Sequence, residues 1–279
     1  MVWKRAIGCL AGLVAGAALA GCAADLGEVD REQLPGASVL PDARLDSHAL
    51  PGIGAIRTEG MSDVSCRAGS VQRMRSSRIA YAATGRHELA AFARPGGPRI
   101  AAFGPQNENG YPTVLGVLSR IVDESCRPQW YRVQLPVRPN GTVGYVRARD
   151  VALETVRTRI EVDLSERRID LLRDGERVMR LRAAVGSSLT PTPVGTYYVN
   201  QRLVVRDPHG PFGPAALGIS AFSPVLQEWT QGGPVAIHGT NVPSSIGEAV
   251  SQGCLRVDNE KLLALFDATV AGTPVLIRA

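Results

Sequence analysis

From Arg157 onward the chain alternates apolar and polar residues at every second position, a period that fits strands with one buried face and does not fit helices. Arg159-Ile160-Glu161-Val162-Asp163-Leu164 is followed by Ile169-Asp170-Leu171-Leu172-Arg173, then by the hairpin signal Asp174-Gly175, and Val178 to Val185 returns as a third strand. Upstream, between Arg67 and Leu153, short apolar runs recur: Ile79 to Ala83, Glu88 to Phe92, Thr113 to Leu118, Trp130 to Leu135 and Gly144 to Arg147. Thr84-Gly85, Pro95-Gly96 and Asn140-Gly141 separate them, a spacing that predicts a small β-barrel. Only Asn259 to Ala271 has a helical pattern. Leu262, Leu263, Leu265 and Phe266 form its apolar face, Asp258 or Asn259 its cap and Gly272 its stop. Thr273 to Ile277 reads as a closing strand, and Gly210 to Ser220 as a Gly-rich loop. The fold class is mainly β.

The N-terminus reads as a targeting segment. Lys4 and Arg5 precede an apolar, small-residue run from Ala6 to Ala20, and Leu19-Ala20-Gly21-Cys22 resembles a bacterial lipobox. Residues 1–21 would be a signal peptide, and Cys22 would carry the lipid as the first mature residue. A plain signal anchor is the alternative. Residues 22–65 are rich in Pro, Gly and acids without periodicity, which predicts a flexible tether reaching ~35–40 Å on average. The remainder divides at about residue 154 into a barrel domain, 66–154, and a second domain, 155–279.

A composition of 44% hydrophobic and 20% charged residues is that of a globular chain. The formal charge of +5 is carried by scattered arginines interspersed with acids, so no nucleic-acid partner is expected. No CxxC occurs, and His48, His87 and His209 have no ligand partners in sequence, so neither a metal nor another cofactor is expected. Export sorts the cysteines. Cys9 leaves with the signal and Cys22 takes the lipid. Cys66 and Cys126 flank one small domain and would pair, leaving Cys254 as the free functional thiol. Two unpaired thiols in a reducing setting remain the alternative.

Cys254 stands in Ser251-Gln252-Gly253-Cys254-Leu255-Arg256, 16 positions beyond His238 in Ile237-His238-Gly239-Thr240-Asn241. A thiol beside a cation, with an imidazole to take its proton, has the parts of an activated cysteine nucleophile. These motifs resemble the L,D-transpeptidase (YkuD-like) family, a resemblance covering about residues 157 to 278 and including Thr190-Pro191-Thr192-Pro193-Val194-Gly195-Thr196. One letter departs: Gln252 stands where the family has a second His. The resemblance implies a β-sandwich catalytic domain with one C-terminal helix. Cys254 would be the nucleophile and His238 the base, oriented by the Gly239 carbonyl. Backbone N–H groups around Gln252 and Gly253 would form the oxyanion site. Arg256 would hold a substrate carboxylate and lower the thiol pKa, and Ser251 would shape the turn of this substrate-binding loop. Gly210 to Ser220 would line the groove. The run Trp130 to Val146 resembles a bacterial SH3-like wall-binding module.

The implied substrate is a peptidoglycan stem tetrapeptide, cut before its terminal D-Ala through a Cys254 thioester. Attack by a neighbouring stem's amine gives a crosslink; attack by water gives an L,D-carboxypeptidase. A wall-binding pseudoenzyme, with Gln252 marking lost chemistry, is the other class. The resemblance also implies inhibition by carbapenems. The lipobox at Cys22 implies membrane attachment in the cell envelope, facing the periplasm or wall.

Overall fold

The computed structural model describes residues 66–228 and 233–279; the signal segment, Cys22 and the tether lie outside the described residues. The first eight strands are β1 (Val71–Arg73), β2 (Ala80–Gly85), β3 (Leu89–Phe92), β4 (Arg99–Phe103), β5 (Val114–Val122), β6 (Pro128–Gln134), β7 (Val143–Arg147) and β8 (Val151–Val156). They make one antiparallel sheet in the order β4-β3-β7-β6-β5-β2-β8, with β1 also paired to β5. Its core is Leu89, Leu115, Val117, Val133, Leu135 and Val146, all buried. Cys66 and Cys126 are joined by a disulfide that ties the start of the described chain to the β5–β6 turn. Closing a loop of sequence separation 60 removes about 4 kcal/mol of unfolded-chain entropy.

One residue after β8, the second sheet begins with β9 (Thr158–Asp163), β10 (Arg168–Arg173) and β11 (Glu176–Arg182). Asp174 and Gly175, at φ 51° and 88°, turn the β10–β11 hairpin in the left-handed region that the Asp-Gly pair predicts. The chain continues through β12 (Val185–Gly186), β13 (Gly195–Val204), β14 (Ala215–Phe222), β15 (Pro234–His238), β16 (Ala249–Ser251), β17 (Leu255–Arg256), α1 (Asn259–Ala268) and β18 (Pro274–Arg278). The sheet order is β11-β10-β9-β18-β13-β14-β15-β17, and β12 pairs with β16 apart from it. Ile160, Val162, Ile169, Leu171, Val199, Leu217, Ile237, Leu255, Leu262 and Leu265 share one core.

Three expectations are corrected. Gly210 to Ser220 is not a loop throughout. From Ala215 it is β14, buried on both faces, so it lacks the alternation that marks a half-buried strand. The Val178 to Val185 strand is two pieces, since β11 stops at Arg182 and Val185 pairs elsewhere. The helix ends at Ala268, not Ala271, and Leu263 lies 45% exposed, off the apolar face. The amides of Gly272 and Thr273 turn instead to Val199 O (2.7 Å) and Val270 O (3.2 Å). The β-branched Thr269 and Val270 favour an end to the helix, and the Gly272 amide bond to Val199 O draws the chain towards β13.

The two sheets meet across a polar seam. Gln134 Nε2 donates to Thr196 O (2.6 Å) and Arg138 to Ser223 O (2.7 Å). Asn140 both donates to Phe222 O (2.8 Å) and accepts from Phe222 N (2.9 Å). Asn107 and Asn109 both donate to Gln201 Oε1. Glycines permit the close approach: a Cβ on Gly116 would sit 2.8 Å from Tyr198 Cδ1, and one on Gly272 would strike Ala82. Gly272 also has φ +87°. Gly272→Ala should therefore cost about 2–4 kcal/mol, from overpacking and a strained backbone together. Urea unfolding should show a lower midpoint at unchanged slope.

Candidate active site

The site is built by β15 and β17. They run parallel, with Ile237 opposite Leu255 and His238 opposite Arg256. Ile237 and Leu255 are fully buried, so that face belongs to the core. By the two-residue period, His238, Arg256 and, one step back, Cys254 share the other face. Cys254 then lies beside Ala236 and diagonal to His238. The Ala236 backbone is near enough to the thiol to lower its proton affinity. Fold topology thus brings together the thiol, the imidazole and the guanidinium that the motifs single out.

His238 is 3% exposed. Its Nδ1 lies 2.7 Å from Gly239 O. A carbonyl only accepts, so Nδ1 carries the proton and Nε2 presents a lone pair. Burial pushes the His238 pKa down to about 4; the Gly239 carbonyl opposes the shift and the Arg256 charge adds to it. The Phe212 ring meets the imidazole at an angle of 60°, centroids 4.9 Å apart. Asn259, at the start of α1, accepts from Thr240 N (2.8 Å), and Phe212 O accepts from Gly239 N (2.9 Å). These contacts fix the His238 loop from two sides. Neither Phe212 nor Asn259 stands out in the sequence as part of the site: Phe212 lies in a Gly-rich stretch, and Asn259 reads as a helix cap. The cap is Asp258, which accepts from Glu260 N and Lys261 N.

Cys254 is partly buried, and among the described residues it is the free cysteine. Burial raises its pKa, with the Ala236 backbone and the Arg256 charge pulling the other way. At neutral pH the pair therefore rests as thiol and neutral imidazole, not as an ion pair. Arg256 is half-buried, and its Nε has no hydrogen-bond partner among the described residues.

The loop before Cys254 is clamped by the Thr-Pro-Thr segment. Thr190 Oγ1 donates to Ser251 O and Thr192 Oγ1 to Gly253 O, each at 2.9 Å, while Gly186 N donates to Thr192 Oγ1. Ser251 is 1% exposed. Its hydroxyl donates to Cys254 O and accepts from Gly253 N (3.1 Å). Ser251 is thus a brace inside the loop, in keeping with a turn-shaping residue. One expectation changes: the Gly253 amide is engaged by Ser251 and is not an open oxyanion donor. Gly253 has φ +110°, a conformation only glycine adopts without strain. Gln252 is exposed beside it. Among the described residues no cluster of three or more His, Cys, Asp or Glu side chains could hold a metal ion.

The buried imidazole couples stability to pH. Unfolded, it titrates near 6.5; folded, at about 4. Between these values the unfolded chain binds the extra proton, so stability is full above pH 6.5 and falls as pH drops towards 4, by about 3 kcal/mol. His238→Asn should lack that component. Urea unfolding of both proteins at pH 7 and pH 4 should show a smaller acid loss in the variant; equal losses would contradict the buried neutral imidazole.

Known proteins resemble the second half of the chain. The L,D-transpeptidase catalytic domain family matches residues 157–277. The YkuD protein of Bacillus licheniformis is 39% identical over 124 residues, and that of Bacillus subtilis 36% over 123; each match spans 44% of this chain and 67% of the relative. A solved L,D-transpeptidase from Mycobacterium smegmatis is 16% identical, with a TM-score of 0.37, over 61% of this chain and 92% of its own. The chain belongs to the L,D-transpeptidase (YkuD) family.

Proposed function

We propose that the protein is a peptidoglycan L,D-transpeptidase acting through a thioester on Cys254. The observation that carries this reading is the β15–β17 pairing, whose register sets Cys254 diagonal to an imidazole that is protonated on Nδ1 and keeps a lone pair on Nε2. In the reaction, Sγ attacks the carbonyl of the L,D-amide that precedes the terminal D-Ala of a stem tetrapeptide, and Nε2 takes the thiol proton. The C–N bond breaks and His238 returns the proton to the departing D-Ala amine. A neighbouring stem's amine then attacks the thioester, loses its proton to Nε2 and releases Cys254 as the thiol with a new peptide crosslink. With water in place of the amine the product is a tripeptide stem.

The neutral resting pair suits this sequence, because proton transfer accompanies attack and no imidazolium has to persist in a buried place. The Cys254 backbone N–H and the Gln252 side-chain amide are the proposed oxyanion donors. Arg256 is proposed to meet a substrate carboxylate. The 66–154 domain, with its SH3-like run Trp130 to Val146, is proposed to face the wall. The chain as a whole is proposed to be exported and anchored through a lipid on Cys22. A carbapenem would acylate the same sulfur.

Incubation with tetrapeptide muropeptides followed by mass spectrometry tests the reading. Wild type should yield crosslinked dimers, and tripeptides if water competes. Cys254→Ala should yield neither while keeping its thermal midpoint. His238→Ala should slow acylation about 10²–10⁴-fold. Turnover in Cys254→Ala would overturn the thioester route. Gln252→His should change the rate within about tenfold, since the exposed amide already offers a donor. Activity appearing only in that variant would favour a pseudoenzyme.

A further inference from the structure

Away from the candidate active site, the first sheet holds a recess of about 290 Å³. β1 and β2 pair with successive stretches of β5: Val71 to Arg73 lie opposite Ile121 to Ser119, and Tyr81 to Thr84 opposite Val117 to Val114. The chain at 74–79 joins the two strands. It lines the recess together with their ends, and Arg73, Arg75, Arg120, Gln72 and Tyr81 are among the walls. No acidic side chain lines it. Among the described residues no ion pair involves Arg73, Arg75 or Arg120.

Arg75 and Arg120 are not loose surface charges, while Arg73 is exposed at the rim. Arg120 Nε donates to Gln72 Oε1 at 2.7 Å, and Gln72 Nε2 lies 3.5 Å from Cys66 Sγ, so this wall is tied to the disulfide. Arg75 is half-buried. Burial, and after it the charge of Arg159 on β9, lower its hold on its proton. Arg159 has its own partner, Glu161, at 3.1 Å. Guanidinium groups gathered and partly stripped of water, with no acid among them, are raised in free energy until an anion joins them.

We propose that this recess binds a phosphate monoester or diester group. Guanidinium stays charged at any ordinary pH, and its planar fork meets two oxygens at once. A flat carboxylate is used up by one fork, whereas a tetrahedral phosphate offers oxygens to several arginines around one recess. The volume lies at the lower end of small-molecule sites, enough for a phosphoglycerol-sized group.

The test uses the full chain at low ionic strength, where such contacts are least screened. Glycerol phosphate is titrated by calorimetry. Co-sedimentation compares phosphatidylglycerol vesicles with phosphatidylcholine vesicles. The expected result is saturable binding of glycerol phosphate, preferential retention on the anionic vesicles, or both. Binding should fall about tenfold for each guanidinium removed in Arg75→Gln and Arg120→Gln. Any membrane affinity of the apolar N-terminal residues is the same in wild type and variants and so drops out. Binding of glycerol phosphate points to a soluble or polymeric source, and vesicle binding alone to a lipid headgroup. Arg73→Gln, at an exposed position, guards against misfolding of the others and should also weaken binding at an unchanged thermal midpoint. No binding in either arm, or binding undiminished in these variants, overturns the proposal.

Discussion

The two-residue strand β17 decides whether this chain has a site at all. Leu255 is fully buried beside Ile237, and Arg256 is bonded on both flanks: its N–H reaches Ala184 O at 3.0 Å, its carbonyl takes Ala184 N at 2.8 Å, and Val257 N reaches His238 O at 2.9 Å. A slip of one residue would turn Leu255 to the site face and drive Cys254 and Arg256 into the apolar core. Burial of one leucine therefore fixes the register that sets thiol, imidazole and guanidinium on one face. The clamp from Thr190 and Thr192 acts one step earlier, holding Ser251 and Gly253 so that the chain enters β17 at a set height.

Burial also sets the chemistry. The same low-dielectric surroundings push the imidazole towards its neutral form and the thiol towards its protonated form, and Arg256 lowers the proton affinity of both. Thiolate is the form that oxidants attack, so burial that favours the thiol makes Cys254 less reactive. On the proposed thioester route Cys254 loses its proton during attack, and the unprotonated Nε2 of His238 is the proposed acceptor. The Gly239 carbonyl contributes by excluding the wrong tautomer.

Much of this was legible in the sequence because it rests on local pattern. The Asp174-Gly175 turn, the period of two through β9 and β10, and the motif residues His238, Cys254 and Arg256 are all written in adjacent letters. β14 was not legible, because Ala215, Ala216, Leu217, Gly218 and Ile219 are buried on both faces and small residues signal no period. The Gly253 amide was read as an oxyanion donor for a different reason. It belongs to a motif letter, yet it donates to the Ser251 hydroxyl, which in turn donates to Cys254 O. A motif names the loop and leaves open which of its groups turn inward. Phe212 and Asn259 reach His238 and Thr240 only through tertiary contact, which no spacing encodes.

The seam between the sheets shows the same limit more sharply. Its donors are the side chains of Gln134, Arg138, Asn140, Asn107 and Asn109, and apart from Gln201 Oε1 its receivers are main-chain groups of Thr196, Ser223 and Phe222. Main-chain groups are present at every position, so the receiving surface leaves no residue signature. The Asn140 amide pairs with both polar groups of Phe222, as a neighbouring strand would, and so caps the end of β14. β14 pairs with β15 along Leu217–Ile237 and Ala216–His238. The first sheet is therefore in contact with the strand next to the candidate base. Exchanging it for another domain would have to reproduce five side-chain donors and two close glycine approaches onto the sheet that carries His238.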